Sequence, residues 1–325
     1  MANEKADVLY IGPPRDHLLE QLSKAFTVHQ AATQDAADDA MIARLAPTLR
    51  YVAVGGHPGG IDGKLMQKFP KLEVVSSFGV GYDNVDSKHA AANNIIVTNT
   101  PDVLNEEVAD TALGLLLCTV RHFPQVDRYV RAGKWPQSGD YPLTPSLHDR
   151  TVGMVGLGRI GKAITRRLDA MGVPVVYHTR RPQADVSYKH YPKLLDMARD
   201  ADVLLVITPG GTETRNLINA GVLDALGPNG ILINMARGSV VDEEALIKAL
   251  QSGKILSAGL DVFADEPHVP KELIAMDNVV LFPHVGSASL HTRKAMQQLV
   301  VDNLVAWHAG KPPVTPVPET PSKRS

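Results

Sequence analysis

Cysteine is nearly absent from this chain: Cys118 is the one thiol among 325 residues. That excludes an internal disulfide framework and a cysteine-based metal cluster, and it suits a reducing, cytoplasmic home. Cys118 itself reads as a small core residue. Charge of one sign is also lacking. Lys and Arg total 33 against 35 Asp and Glu, a net charge of −2, which argues against a nucleic-acid partner or an acidic tail. Long apolar runs are missing as well. The most apolar stretch, "ALGLLLCTV" at 112–120, is far short of a membrane span and reads as a buried helix. The N-terminal "MANEKADVLY" has no basic segment followed by an apolar one, so no signal peptide is expected.

What is present is a rhythm. At 325 residues and 44% hydrophobic, the chain is long enough for two buried cores. Short Val/Ile/Leu runs alternate with helix-like stretches. The predicted strands of a first series are "DVLYIG" (7–12), "FTVHQ" (26–30), "YVAVGG" (51–56), "LEVVSSFG" (72–79) and "NIIVTN" (94–99). A second series follows: "TVGMVG" (151–156), "VPVVYH" (173–178), "DVLLVIT" (202–208), "GILINMA" (230–236), "LSAGLDV" (256–262) and "NVVLFPH" (278–284). Continuous apolar runs of this kind predict parallel sheets covered on both faces, hence two doubly wound α/β units. Between the series, residues 101–123 read as one long helix, 131–145 as a loop, and the proline-rich 310–325 as an extended or mobile tail.

"VGLGRIG" places Gly156, Gly158 and Gly161 in G-x-G-x-x-G order between a strand and a helix. The first glycine permits a tight turn, the second a close backbone approach to a pyrophosphate, and the third close packing of helix on strand. The helix N-terminus then offers unpaired N–H groups to the phosphates. The first series has no such loop, since "YIGPPRD" carries prolines where free N–H groups would be needed. A dinucleotide therefore belongs to the second unit. After its second strand, where a carboxylate would accept both ribose hydroxyls of NAD, the chain reads "YHTRRP". Thr179, Arg180 and Arg181 stand there instead. A hydroxyl and two guanidinium groups favour a 2′-phosphate, so NADPH is the expected cofactor, with NADH possible.

Three further stretches end predicted strands. "INMARGSVVDEEAL" presents Arg237, "GLDVFADEP" presents Asp261 and Glu266, and "LFPHVGSAS" presents His284. An arginine, a carboxylate and a histidine suit reversible hydride transfer to a 2-oxo acid. Arg237 can grip the substrate carboxylate and polarise its carbonyl, and His284 can donate a proton as alkoxide charge develops, with Glu266 holding the ring. Asp261 is open between a cofactor contact and a structural hydrogen bond. His57 and His291 read as ordinary histidines.

Together with "SSFGVGYDNVD" (76–86) and "TPDVLNEEVADTALGLLL" (100–117), these motifs resemble the D-isomer-specific 2-hydroxyacid dehydrogenase family over nearly the whole chain. Within it the chain resembles the glyoxylate/hydroxypyruvate reductases and their hydroxyphenylpyruvate reductase branch. The resemblance implies a Rossmann nucleotide-binding domain (100–288) inserted into a flavodoxin-like substrate-binding domain (1–99 plus 289–325). It also implies a cleft that closes between the two, and a homodimer through the helix at 101–123. Glu266 argues against a formate dehydrogenase, whose pattern has glutamine there. By the same resemblance, Asp261 contacts the nicotinamide carboxamide. Further cofactor contacts fall on Arg159, Ile160, Thr208, Pro209, Thr214, Met235, Ala236 and Gly286. The backbone of Gly79, Val80 and Gly81 joins Arg237 and His284 in binding substrate, and no metal is expected. A bulkier substrate such as hydroxyphenylpyruvate is an alternative, its pocket depending on the loops at 55–60 and 135–143. A dinucleotide-sensing corepressor is a second alternative, of another class. Trp135 is left between a dimer interface and the cleft.

Overall fold

The computed structural model describes residues 5–56 and 59–320. Residues 1–4, residues 57–58 with His57, and the tail residues 321–325 lie outside the described residues. The chain divides into two compact units, Met1–Leu104 with Ser289–Ser325, and Asn105–Ala288. The first boundary therefore falls after Leu104 rather than after residue 99. The extra residues stay with the first unit because Thr100 exchanges hydrogen bonds with Gly79 and Leu104 is buried.

The first unit holds β1 (Asp7–Ile11), β2 (Thr27–Ala31), β3 (Tyr51–Val54), β4 (Val74–Ser77) and β5 (Ile96–Thr98). They form one parallel sheet in the order β2-β1-β3-β4-β5, the flavodoxin-like order. Every residue of β3 and β4 is buried, as a sheet covered on both faces requires. The last helix, Leu290–His308, returns to this sheet. Its Gln297 side chain accepts the Leu18 N–H at 3.0 Å, and its Val300 carbonyl accepts the Ser76 hydroxyl at 3.1 Å.

The second unit holds β6 (Val152–Val155), β7 (Val175–His178), β8 (Lys189–His190), β9 (Val203–Val206), β10 (Ile231–Asn234), β11 (Ser257–Leu260) and β12 (Val279–Leu281). All pairings are parallel, in the order β12-β11-β10-β9-β6-β7-β8. The chain winds outward from β6 to β8, crosses back, and winds the other way from β9 to β12. Strand order reverses between β6 and β9, and ligands of such sheets bind beyond the carboxyl ends at that switch point.

Several expectations change. The helix expected over 101–123 runs from Asn105 to Arg121. Asp102 adopts φ 67°, which delays its start, and His122 adopts φ 53°, which ends it before a separate helix Phe123–Arg131. The loop expected over 131–145 contains a short helix, Lys134–Ser138, bracketed by Gly133 and Gly139 at positive φ. The two-residue strand β8 has no apolar run to announce it. Cys118 is half-buried rather than a full core residue, and burial pushes its thiol pKa up. The described part of the tail takes the extended arm of its expectation and adds to it bonds along β5: Thr98 bridges Pro316, and the buried Val317 donates its N–H to the Val97 carbonyl at 2.9 Å. Among the described residues no helix is long and apolar enough to cross a membrane.

Candidate active site

The glycine loop follows β6. Gly156 takes φ +97°, a conformation costly for other residues, and an added Cβ would meet the Ile207 carbonyl at 3.0 Å. A Cβ on Gly161 would lie 2.9 Å from the Gly156 carbonyl, so the helix Arg159–Ala170 packs directly against the turn. Gly158 is the N-cap, and a Cβ there would meet nothing within 4 Å. The first-turn N–H groups of any α-helix lack an acceptor within it, and the first turn of this helix holds no acidic side chain. Open space at Gly158 and a positive helix end fit a pyrophosphate.

The tip of β7 is tied down by its neighbours. His178 and His190 ring nitrogens bond the Tyr191 and Thr179 carbonyls at 2.8 and 2.9 Å. The Thr179 hydroxyl donates to the Arg181 carbonyl at 2.6 Å, closing a turn that sends both arginines into solvent. Arg180 pairs with Glu213 at 2.7 Å, in a pair whose side chains are 88% and 76% exposed. Glu213 neighbours Thr214, whose hydroxyl donates to the Pro209 carbonyl at 2.7 Å and so shapes the loop after β9 that also carries Thr208. Thr179, Arg180 and Arg181 fit a phosphate, with Glu213 as a competitor that only the structure reveals.

Beyond β10, the buried Asn234 shapes the turn: its amide donates to the Arg237 carbonyl at 3.0 Å and its oxygen accepts the Ala236 N–H at 3.1 Å. Met235 and Ala236 are buried, and the Arg237 guanidinium donates to the Ala236 carbonyl at 2.8 Å. Gly238 then presses on the next strand's tip, where a Cβ would come within 1.9 Å of the Phe263 backbone. No other residue fits that contact.

Beyond β11, the Glu266 carboxylate accepts the Phe263 N–H through Oε1 at 3.1 Å and bonds His284 Nδ1 through Oε2 at 2.7 Å. An ionised carboxylate only accepts, so Nδ1 carries the proton of this bond and Nε2 is left out of it. The histidine side chain is 41% exposed and the glutamate 18%. Beyond β12, the loop is clamped by the buried Asp261. Its carbonyl accepts the His284 N–H at 2.8 Å, and its two carboxylate oxygens accept the Val285 and Gly286 N–H groups at 2.7 and 2.9 Å. Burial pushes the Asp261 carboxyl pKa up, and these N–H donors and His284 pull against that shift. Asp261 thus has a structural task that the sequence left open. From the helix Asn105–Arg121, Thr111 adds a bond to the Gly286 carbonyl at 3.1 Å. Asn234, Gly238, Glu213 and Thr111 escaped sequence reasoning because each acts through a partner remote in the chain or through the backbone. The parallel sheet sets His284, Glu266, Asp261, Arg237, Thr208, Gly156 and Thr179 along one carboxyl edge, in strand order.

In the first unit, the loop at 79–81 is built differently from expectation at its first residue. The Gly79 N–H is spent on the Thr100 hydroxyl at 2.9 Å. The N–H groups of Val80 and Gly81 have no protein partner among the described residues. His291 is exposed.

Residues 113–286 match the family described as D-isomer specific 2-hydroxyacid dehydrogenase, NAD binding domain. The chain is 45% identical over 314 residues to glyoxylate/hydroxypyruvate reductase A of Arabidopsis thaliana, covering 97% of this chain and 99% of that one. It is equally 45% identical, with the same coverage, to the hydroxyphenylpyruvate reductase of Plectranthus scutellarioides. An NADPH-dependent glyoxylate/hydroxypyruvate reductase from Sinorhizobium meliloti, crystallised with NADP and malonate, superposes with a TM-score of 0.94 at 50% identity, covering 99% of both chains. The chain belongs to the D-isomer-specific 2-hydroxyacid dehydrogenase family.

Proposed function

We propose that the chain is an NADPH-preferring reductase that converts small 2-oxo acids, glyoxylate and hydroxypyruvate foremost, to D-2-hydroxy acids. The observation that carries this reading is the 2.7 Å bond between His284 Nδ1 and Glu266 at the tips of β12 and β11, on the sheet edge that bears the glycine loop. NADPH, when bound, supplies the hydride. The first-turn N–H groups of Arg159–Ala170 would hold its pyrophosphate, and Thr179, Arg180 and Arg181 its 2′-phosphate. Thr208, Pro209, Thr214, Met235, Ala236, Asp261 and Gly286 line the rest of the cofactor's course.

The protein's own chemistry is then a matter of charge. Arg237 polarises the substrate carbonyl, and the N–H groups of Val80 and Gly81 suit a carboxylate. Glu266 fixes the ring of His284, so that Nε2–H donates its proton to the carbonyl oxygen as negative charge develops there. In the reverse direction the same nitrogen accepts the hydroxyl proton. The reading includes a two-fold homodimer. It is supported by the apolar side chains that Phe123, Val130, Trp135 and Leu143 expose. A reducing, cytoplasmic location accords with the lone thiol.

Steady-state oxidation of NADPH and NADH against a panel of 2-oxo acids tests the reading. Glyoxylate and hydroxypyruvate should be reduced with NADPH preferred. Cofactor binding without turnover would overturn it, and a marked preference for hydroxyphenylpyruvate would move the substrate to the bulkier class.

A further inference from the structure

The proline-rich segment at 312–320 is tied to the first unit by a connected set of hydrogen bonds. Asn303, fully buried on the helix Leu290–His308, accepts the Thr315 N–H at 2.8 Å and donates to the Thr315 hydroxyl at 2.9 Å. That hydroxyl, its lone pair used, donates onward to the Asn99 carbonyl at 2.7 Å, and the Asn99 N–H returns a bond to the Thr315 carbonyl at 3.3 Å. Asn99 in turn donates through Nδ2 to the Val80 carbonyl at 2.8 Å. Farther along, Glu319 accepts the Tyr82 hydroxyl at 2.8 Å. The Tyr82 phenol is pushed up to about 12, by burial first and by Glu319 second, so it stays a donor.

The end of this relay is what gives it a consequence. The Val80 carbonyl and the Gly81 N–H belong to one planar trans peptide, so a donor that fixes the oxygen fixes the direction of the N–H on the opposite side. The neighbouring peptide is treated alike: the Thr100 N–H holds the Gly79 carbonyl at 2.8 Å, which aims the Val80 N–H. Each bond also polarises its peptide, making the opposite N–H a stronger donor.

We propose that Asn99, held by Thr315 of the tail, is a positioning residue for substrate: it aims the Gly81 N–H at the substrate carboxylate. The inference rests on the reading of the loop at 79–81 as the carboxylate site. An N–H that grips the carboxylate equally in ground and transition state contributes to KM and not to kcat.

The test is steady-state kinetics with hydroxypyruvate at saturating NADPH for Asn99→Ala, Thr315→Val and Thr315→Ser, beside NADPH affinity and thermal midpoint. Asn99→Ala and Thr315→Val should raise KM about five- to tenfold, the worth of one hydrogen bond. Their kcat should stay within about twofold of wild type and their NADPH affinity unchanged. Thr315→Ser, which keeps the hydroxyl, should restore the wild-type KM. Lowered thermal midpoints with wild-type KM values would make the relay purely structural and overturn the proposal. So would equal KM values for Thr315→Val and Thr315→Ser, a comparison that stands even if Asn99→Ala does not fold. A wild type that reduces no 2-oxo acid overturns the reductase reading along with it. An active wild type with unmoved variants overturns only the positioning role.

Discussion

At the end of β1 the chain reads Gly12-Pro13-Pro14 before the helix Asp16–Ala25; at the end of β6 it reads Gly156-Leu157-Gly158 before the helix Arg159–Ala170. The first turn is filled by the protein itself. The Tyr10 hydroxyl bonds the Pro13 carbonyl at 2.5 Å, Arg15 bonds the Gly55 carbonyl at 2.9 Å, and a Cβ on Gly12 would meet the Gly55 backbone at 2.9 Å. Asp16 in the first helical turn answers the positive end of that helix. The second turn leaves its N-cap open, and its helix carries no acidic residue in its first turn. Two α/β units with the same strand-turn-helix geometry thus differ in whether the anion at the helix end is supplied from within. Binding capacity lies in the residues grafted on the fold, not in the fold.

The contrast can be broken or sharpened by substitution. The largest effect should come from Arg237→Ala at the tip of β10, which removes the charge meant for the substrate. Its kcat/KM should fall about 10²- to 10⁴-fold with NADPH affinity intact; a steady-state assay giving activity within tenfold of wild type would strip Arg237 of its role. Next comes the double variant Arg180→Asp/Arg181→Asp. Each lost charge-assisted bond is worth about 1.5–3 kcal/mol, so NADPH affinity should drop about a hundredfold or more while NADH affinity changes far less. Equal losses in paired titrations would return both arginines to the solvent.

A smaller effect separates the two turns directly. Gly161→Val forces the helix away from the Gly156 carbonyl, and overpacking of that kind costs about 1–3 kcal/mol. NADPH affinity should weaken roughly tenfold, whereas Pro14→Gly in the first unit should leave it alone. Matched losses would erase the distinction drawn here. The smallest effect is Glu213→Gln. Its ion pair with Arg180 is highly exposed on both sides, and such pairs are worth at most about 1 kcal/mol. Releasing Arg180 should strengthen NADPH binding about two- to threefold, read by fluorescence titration, and leave NADH unchanged.

The parallel cores were legible because β3 and β9 are uninterrupted apolar runs and β4 and β10 open on apolar ones, and the glycine loop because its spacing and its context agree. Arg237, Glu266 and His284 were readable as strand-end residues of the right chemistry. The rest depended on geometry that no local pattern encodes. The left-handed His122 breaks a helix whose apolar periodicity continues through it. β8 is made by pairing with β7 and not by its own two residues. The prolines of the tail announced extended chain, but the asparagine that pins it lies on a helix already ended. Asp261 looked ambiguous in an apolar strand end because its partners, Val285 and Gly286, come from the next strand's loop.

The central claim is that the imidazole held by Glu266 at the tip of β12 protonates the substrate carbonyl. A single-turnover measurement of NADPH oxidation by hydroxypyruvate, comparing wild type with His284→Gln alongside an NADPH titration of each, tests it most directly. The account predicts a rate at least about a hundredfold lower with cofactor affinity within about twofold. A variant that oxidises NADPH at close to the wild-type rate would contradict it.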